Sequence, residues 1–214
     1  MLIVVEGIHS SGKSTLSEAL ARWLRERGER VVETSWNSSE VLGPHITRLK
    51  IDNRLRPTTM VLMEAADLAH RYERVLRPAL DEGRVVVSDR YLYSTLVRGR
   101  LRGVEEGFIR RCFSFAPAPD LVLHVRSSGG TTLERRLSAG QSIGGHMAGE
   151  DFRPISDERA AFVELQERTE QLYGEVLPPG TVRLPEGATP AALHSLAAAE
   201  VDRVLRERRG TVAR

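Results

Sequence analysis

Between an apolar run, Leu2 to Val5, and an amphipathic stretch that puts Leu16, Leu20, Trp23 and Leu24 on one face stands Gly7-Ile8-His9-Ser10-Ser11-Gly12-Lys13-Ser14. No other feature limits the fold so tightly. The segment fits G-x-x-x-x-G-K-[ST], and strand, glycine-rich turn and helix are the context in which that pattern works. Its glycines let the backbone curl until successive N–H groups and the helix N-terminus face one anion. The spacing predicts a nucleotide-phosphate site made of Gly7, Ser10, Ser11, Gly12, Lys13, Ser14 and Thr15. Lys13 would reach the β- and γ-phosphates, and Ser14 would hold Mg²⁺.

The rest of the chain alternates short apolar runs with amphipathic stretches, the pattern of βαβ units and an α/β fold. Strands are expected at Leu2 to Val5, Arg30 to Glu33, Val85 to Val87, Leu121 to Val125 and near Thr181 to Leu184. The first helix should stop near Gly28. An irregular stretch with Gly43 and Pro44 follows, then a long helix from about Thr58 to Leu80, ended by Gly83. Thr131 with Glu134 reads as a capping box opening a short helix. Two more helices are expected, from about Ser156 to Leu177 and after Thr189-Pro190. The last ends in RVLRERR, whose cations suit the negative end of a helix dipole and read as a solvated turn. Ser138 to Asp151 (SAGQSIGGHMAGED) is glycine-rich, with little that could pack. A mobile lid is therefore expected near 138–156, a disordered connector being the alternative.

A length of 214 residues suits one sizeable core, so residues 1–214 are read as a single domain. The net charge is +2 with both signs interspersed, and no long basic tract offers itself to nucleic acid or to an anionic membrane. The N-terminal apolar run is too short for a signal peptide or a membrane span. The single Cys112 excludes an internal disulfide and a cysteine-cluster metal site. These features predict a cytoplasmic chain. Cys112, beside Phe113, reads as a small buried apolar residue rather than a reactive thiol. Only two of the 31 basic side chains, Lys13 and Lys50, are lysines. In a chain so biased toward arginine, position 13 keeps a compact ammonium, which suits phosphates in a tight glycine loop where a planar fork does not.

A second motif, VVVSDRY, puts Asp89 at the carboxyl end of a buried strand, where a carboxylate can meet Mg²⁺ or its water above the sheet. Arg90 points into the same crevice and suits an acceptor phosphate. In the alternative, Asp89 only caps a turn and Arg90 pairs with it.

These residues resemble thymidylate kinase over most of the chain. VEGIHSSGKST is similar to that family's phosphate loop, AADLAHRYERVLRPALDEGRVVVSDRYLYS to its central helix, strand and Asp-Arg-Tyr segment, and PDLVLHV with LERR and a glycine-rich loop to its approach to the lid. The resemblance implies a P-loop kinase fold with a parallel five-stranded sheet flanked by helices. It also implies ATP and Mg²⁺ as cofactors, phosphoryl transfer to a nucleoside monophosphate, and a homodimer. It gives Lys13 and Ser14 the phosphates and metal, Asp89 the metal shell, Arg90 the acceptor phosphate, and Tyr91 and Ser94 the acceptor wall. Arg153 follows the glycine-rich run and is the choice for a catalytic lid arginine, with a surface pair to Asp151 as the alternative.

Five departures from the family pattern fall on the acceptor side. The phosphate-loop aspartate is His9, the aromatic stacking residue of the long helix is Glu64, and the following arginine is Leu68. A Tyr-Gln pair is replaced by Arg98 and Gly99, and TSWNSSE lacks the arginine expected after the second strand. Losing an aromatic platform removes about 1–3 kcal/mol of base stacking, and a lost hydrogen-bonding arginine is of similar size. Ordinary dTMP is therefore not the expected acceptor. A phosphorylated sugar or phosphonate, or a nucleotide-binding protein without transfer, are the rival readings. Glu64, Leu68 and Arg71 share a helix face by spacing. They either build a replacement pocket, Glu64 accepting donors and Arg71 holding an anion, or lie on a solvated face. His9 either contacts a hydroxyl or phosphate or is an uncharged spacer. Arg98, Arg100 and Arg102 read as a solvated loop near Glu105 and Glu106, or else as a site for an acceptor more anionic than a monophosphate. His124 and His146 lack metal-ligand company and are assigned nothing.

Overall fold

The computed structural model describes residues 1–212. In chain order its elements are β1 (Leu2–Glu6), α1 (Lys13–Glu26), β2 (Val31–Ser35), α2 (Gly43–Ile51), α3 (Pro57–Arg71), a π-helical turn (Tyr72–Leu76), α4 (Arg77–Asp81) and β3 (Val85–Asp89). There follow α5 (Leu92–Leu101), α6 (Glu106–Cys112), β4 (Leu121–Val125), α7 (Gly129–Ser138), α8 (Gly145–Ala148), α9 (Glu158–Val176), β5 (Val182–Leu184) and α10 (Pro190–Val212). The five strands form one parallel sheet in the order β2-β3-β1-β4-β5, as expected of a P-loop kinase fold.

The strand pattern builds two cores. Successive side chains of a strand point to opposite faces, so in β1 Leu2 and Val4 join Val61, Leu68, Leu96 and Tyr173 on one side. Ile3 and Val5 join Leu16, Leu20 and Leu24 of α1 and Leu193, Ala197 and Val201 of α10 on the other. With both faces covered, the central strands can be apolar throughout, which is why β1 and β4 are buried along their whole length. The parallel register sets Val5 against Asp89, Asp89 against Ser35 and Glu6 against His124. Ser35 and Asp89 thus line one crevice with Ser14 at the carboxyl edge, where the order reverses around β1.

Local readings differ in three places. The Gly43–Pro44 stretch, expected to be irregular, is the nine-residue helix α2, with proline in its first turn where no N–H is needed. The long helix is interrupted by a π-helical turn just before Pro78, whose missing N–H an uninterrupted helix would leave as a gap. The cap of α7 is Ser128, whose Oγ accepts from Thr131 N at 3.2 Å, so Thr131 lies inside the first turn rather than opening the helix.

The glycine-rich segment does pack. Ile143 and Ala148 are buried against Ala161 and Phe162 of α9, with Met147 and Ile155 alongside. Among the described residues no helix is long and apolar enough to cross a membrane.

Candidate active site

The phosphate loop is held open by backbone geometry. A Cβ on Gly7 would lie 2.7 Å from both Ser11 Oγ and the Val125 carbonyl oxygen, so no other residue fits. Gly12, in the left-handed region at φ 99°, starts α1 without any side-chain cap, and the first turn of that helix carries no acid. Its free N–H groups therefore point at whatever anion the loop encloses. Lys13 is buried, and its Nζ donates to the Ile8 carbonyl oxygen at 3.0 Å. Burial, helped by Arg90 and opposed by Asp89, pushes its ammonium well below the ordinary lysine range. Phosphate would relieve that. Beside the loop, Gly12, Thr15, Leu16, Arg135, Pro190 and Leu193 line a cleft of about 310 Å³, at the lower end of the size range of small-ligand sites.

Ser14 and Asp89 meet at the mouth. Ser14 Oγ donates to Asp89 Oδ2 at 2.5 Å, while Oδ1 is buried without a partner. A carboxylate with a spare oxygen beside a hydroxyl suits Mg²⁺, which takes one or two protein ligands and draws the rest from phosphates and water. Arg90 does not pair with Asp89. It sits at φ 72°, a conformation that costs a non-glycine residue about 1 kcal/mol or more, pinned by Arg90 N to the Val5 carbonyl at 2.9 Å and by Ser88 Oγ to its own carbonyl at 2.6 Å. The kink turns its guanidinium over the sheet edge, where Nη1 donates to Ser94 Oγ at 2.8 Å and to Tyr173 Oη at 3.1 Å, and Nη2 has no partner.

Behind Arg90 lies a carboxylate that the sequence reading passed over. Glu6, completely buried at the end of β1, accepts from Tyr91 N at 2.8 Å, Ser94 Oγ at 2.7 Å and Tyr173 Oη at 3.0 Å. Burial raises its carboxyl above the usual range, with Arg90 opposing. Its sequence signal was an acid closing an otherwise apolar strand. Ser94 thus positions Arg90 instead of forming an acceptor wall. Tyr91 is also displaced from that expectation: its ring lies in the core and its hydroxyl donates to the Pro117 carbonyl at 3.1 Å.

On the acceptor side, Glu64 and Arg71 are buried, not solvated, and Leu68 belongs to the core beneath them. Glu64 accepts from Lys50 Nζ at 2.5 Å and from Thr95 Oγ1 at 2.8 Å, so both oxygens are occupied. Arg71 pairs with Asp67 at 2.7 Å and donates to Thr34 Oγ1 at 3.0 Å, and its Nη2 is buried without a partner among the described residues. Above them stands Trp36, which sequence reasoning missed although it lies in the segment singled out for its absent arginine. Lys50 Nζ lies 4.1 Å from its ring centroid, Arg98 Cζ 4.8 Å and Arg90 Cζ 5.7 Å. The rarity of lysine was the available signal for Lys50. Arg98 and Arg102, expected on a solvated loop, are buried on and just after α5, because burial there is set by what docks on it; only Arg100 pairs outward, with Glu106 and Glu175.

What docks is the 138–156 segment. Arg102 grips Asp151 through Nε at 2.6 Å and Nη2 at 3.0 Å, and both side chains are buried. Arg153 pairs with Glu164 at 2.9 Å and not with Asp151. Arg135 of α7 touches the phosphate loop directly, donating to the Ser11 carbonyl at 3.1 Å. His9 N donates to Gln166 Oε1 at 3.2 Å, and its Nε2 is buried and unpartnered.

Residues 5–171 match the family model described as thymidylate kinase. The chain belongs to the thymidylate kinase family. A protein named probable thymidylate kinase 2 from Saccharolobus solfataricus is 35% identical over 176 residues, 82% of each chain. One named probable thymidylate kinase from Pyrococcus horikoshii is 36% identical over 127 residues, 56% of this chain and 62% of that protein. A thymidylate kinase from Nitratidesulfovibrio vulgaris is 36% identical over 155 residues, 69% of each. Membership makes the chain an ATP-dependent nucleoside-monophosphate kinase.

In this member of the thymidylate kinase family the two histidines near the acceptor side are held neutral. Burial, then Arg98 and Arg90, pushes His9 well below the ordinary range, and burial with Arg102 and Lys50 takes His146 down to about 2. Asp151 lies 3.4 Å from His146 Nδ1, but its charge is taken up by Arg102. A histidine lowered in the fold leaves stability intact above the unfolded-state value of 6.5 and removes it below, because only the unfolded chain then takes up the proton. The expected loss from His146 is about 1.4 kcal/mol per pH unit below roughly pH 6. Thermal unfolding at about pH 7.5 and about pH 5.5 measures it, and His146→Gln should shrink the difference. A midpoint equally acid-sensitive in that variant would remove His146 from the account.

Proposed function

We propose that this kinase transfers the γ-phosphoryl group of ATP to the phosphate of a nucleoside monophosphate or nucleotide-like acceptor other than ordinary dTMP. The observation that carries the reading is Glu64, buried and with both carboxylate oxygens occupied by Lys50 and Thr95. A buried ion pair stands where the family resemblance puts an aromatic ring, and it offers a pyrimidine no face to stack on.

The chain's own part in the reaction is positioning and charge. Loop N–H groups and Lys13 hold the β- and γ-phosphates. Arg90, fixed by Ser94 and Tyr173, aligns the acceptor phosphate, one of whose oxygens attacks the γ-phosphorus as ADP leaves. Mg²⁺ held by Ser14 and Asp89 would neutralise charge on the donor phosphates. The 138–156 segment, with Arg153 at its end, serves as a lid that excludes water.

Release of ADP measured against nucleoside monophosphates, sugar phosphates and phosphonates tests this. The best acceptor should exceed dTMP in kcat/KM by about tenfold or more, the size of one lost stacking contact. Turnover of dTMP that matches the best acceptor overturns the reading.

A further inference from the structure

Arg98 is a buried charge that pairs with no acid among the described residues. It is 6% exposed, and neither Nε nor Nη2 meets an acceptor. Burial and the closeness of Arg90 bring its guanidinium down to about 9, with Arg102 acting in the same direction, yet at neutral pH it is still protonated. The acids around it are spoken for: Glu64 by Lys50 and Thr95, Asp151 by Arg102, Glu6 by Tyr91, Ser94 and Tyr173. The Trp36 ring, 4.8 Å from Arg98 Cζ, offsets part of the cation's desolvation but accepts none of its unmet N–H groups. A buried ionic group left in that state costs several kcal/mol, so the fold holds it at a loss unless an anion arrives from outside.

Which anion is decided by what the other cations already do. Lys13 answers the donor phosphates, and Arg90, with Nη2 free, has room for the acceptor phosphate. Arg98 is held instead on the Trp36 ring, its Cζ 4.8 Å from the centroid with Lys50 Nζ at 4.1 Å, whereas Arg90 is tied down by Ser94 and Tyr173. We propose that the acceptor carries, besides the phosphate that receives the γ-phosphoryl group, a second anionic group, carboxylate or phosphate, held by Arg98 above the Trp36 ring with Lys50 beside it. The inference rests on the reading that Arg90 holds the acceptor phosphate.

The test compares acceptors that differ by one anion. Orotidine 5′-monophosphate against uridine 5′-monophosphate adds a carboxylate, and a nucleoside 3′,5′-bisphosphate against its 5′-monophosphate adds a phosphate. One of the two compounds with the added anion should exceed its congener at least tenfold in kcat/KM, which identifies the group. In Arg98→Met that ratio should fall to within about threefold of unity. Without ATP, the preferred compound should raise the melting temperature of the wild type more than its congener does, and Arg98→Met should erase the difference. The free variant should melt no lower than the wild type, because an unpaired buried charge has been replaced by apolar packing. Equal ratios in the wild type, or a variant that slows all acceptors alike, would assign Arg98 to the same phosphate as Arg90 and overturn the proposal. A melting temperature lowered by more than about 4 °C would make Arg98 a structural residue and overturn it too. Absence of ADP release with every monophosphate tried would instead strike at the kinase reading, and this inference would fall with it.

Discussion

Replacing Lys13 by alanine should reduce phosphoryl transfer by about 10³-fold or more, the scale at which removal of one preorganised electrostatic contact to a developing charge is felt. The ammonium is buried, its one hydrogen bond goes to the Ile8 carbonyl, and burial depresses its proton affinity. It is therefore held in readiness for phosphate and contributes little to the free protein. The variant should melt at or above the wild-type temperature while ADP release with the best acceptor collapses, and single-turnover rates at saturating ATP separate lost chemistry from lost binding. Transfer at the wild-type rate would mean that the loop does not hold the γ-phosphate.

Asp151→Ala should be the most destabilising single change outside the hydrophobic cores. It strips the carboxylate from Arg102, whose side chain is 2% exposed, and leaves a desolvated guanidinium with the Arg98 and His146 carbonyls and the Phe152 ring for company. Breaking a buried pair in this way costs about 3–5 kcal/mol. In a chain of this length that lowers the melting temperature by on the order of 10 °C. If the 138–156 segment opens alone, the loss will show instead as faster hydrogen exchange at Ile143 to Arg153 with the sheet still protected. Replacing both partners, Arg102→Met with Asp151→Leu, should recover most of the loss, since an apolar pair of similar volume substitutes well for a buried ion pair. A change below about 1 kcal/mol in Asp151→Ala, with unchanged exchange, would show that the pair is no more than a surface contact.

The donor half of the site was legible because it is local. Nine consecutive residues, Gly7 to Thr15, form the loop proposed to cradle the phosphates, and the glycines there are demanded by a close approach and by a left-handed turn. Asp89 and Arg90 could be placed from a strand and its last residue. Glu6 was equally placed, as an acid ending an apolar strand, but its role depends on Ser94 and Tyr173, which lie 88 and 167 residues away. The cap at Ser128 was misread for a smaller reason: two hydroxyls three residues apart compete for one helix start, and only the backbone decides.

The sequence by itself determined the α/β class, the strand, glycine-rich turn and helix around Gly7 to Ser14, the place of Asp89 at the end of a strand, and the resemblance to thymidylate kinase. Each rests on spacing along one short stretch or on a periodicity that the strands and helices repeat. Only the tertiary structure decided the acceptor side. Trp36, Lys50, Glu64, Arg98 and Asp151 come from separate segments, and what each does depends on which charges leave water together. In a chain with so many arginines, composition cannot say which guanidinium finds a carboxylate. Packing buried Arg102 against Asp151 and Arg98 against a ring and other cations, and that difference makes one a strut and leaves the other open to a ligand.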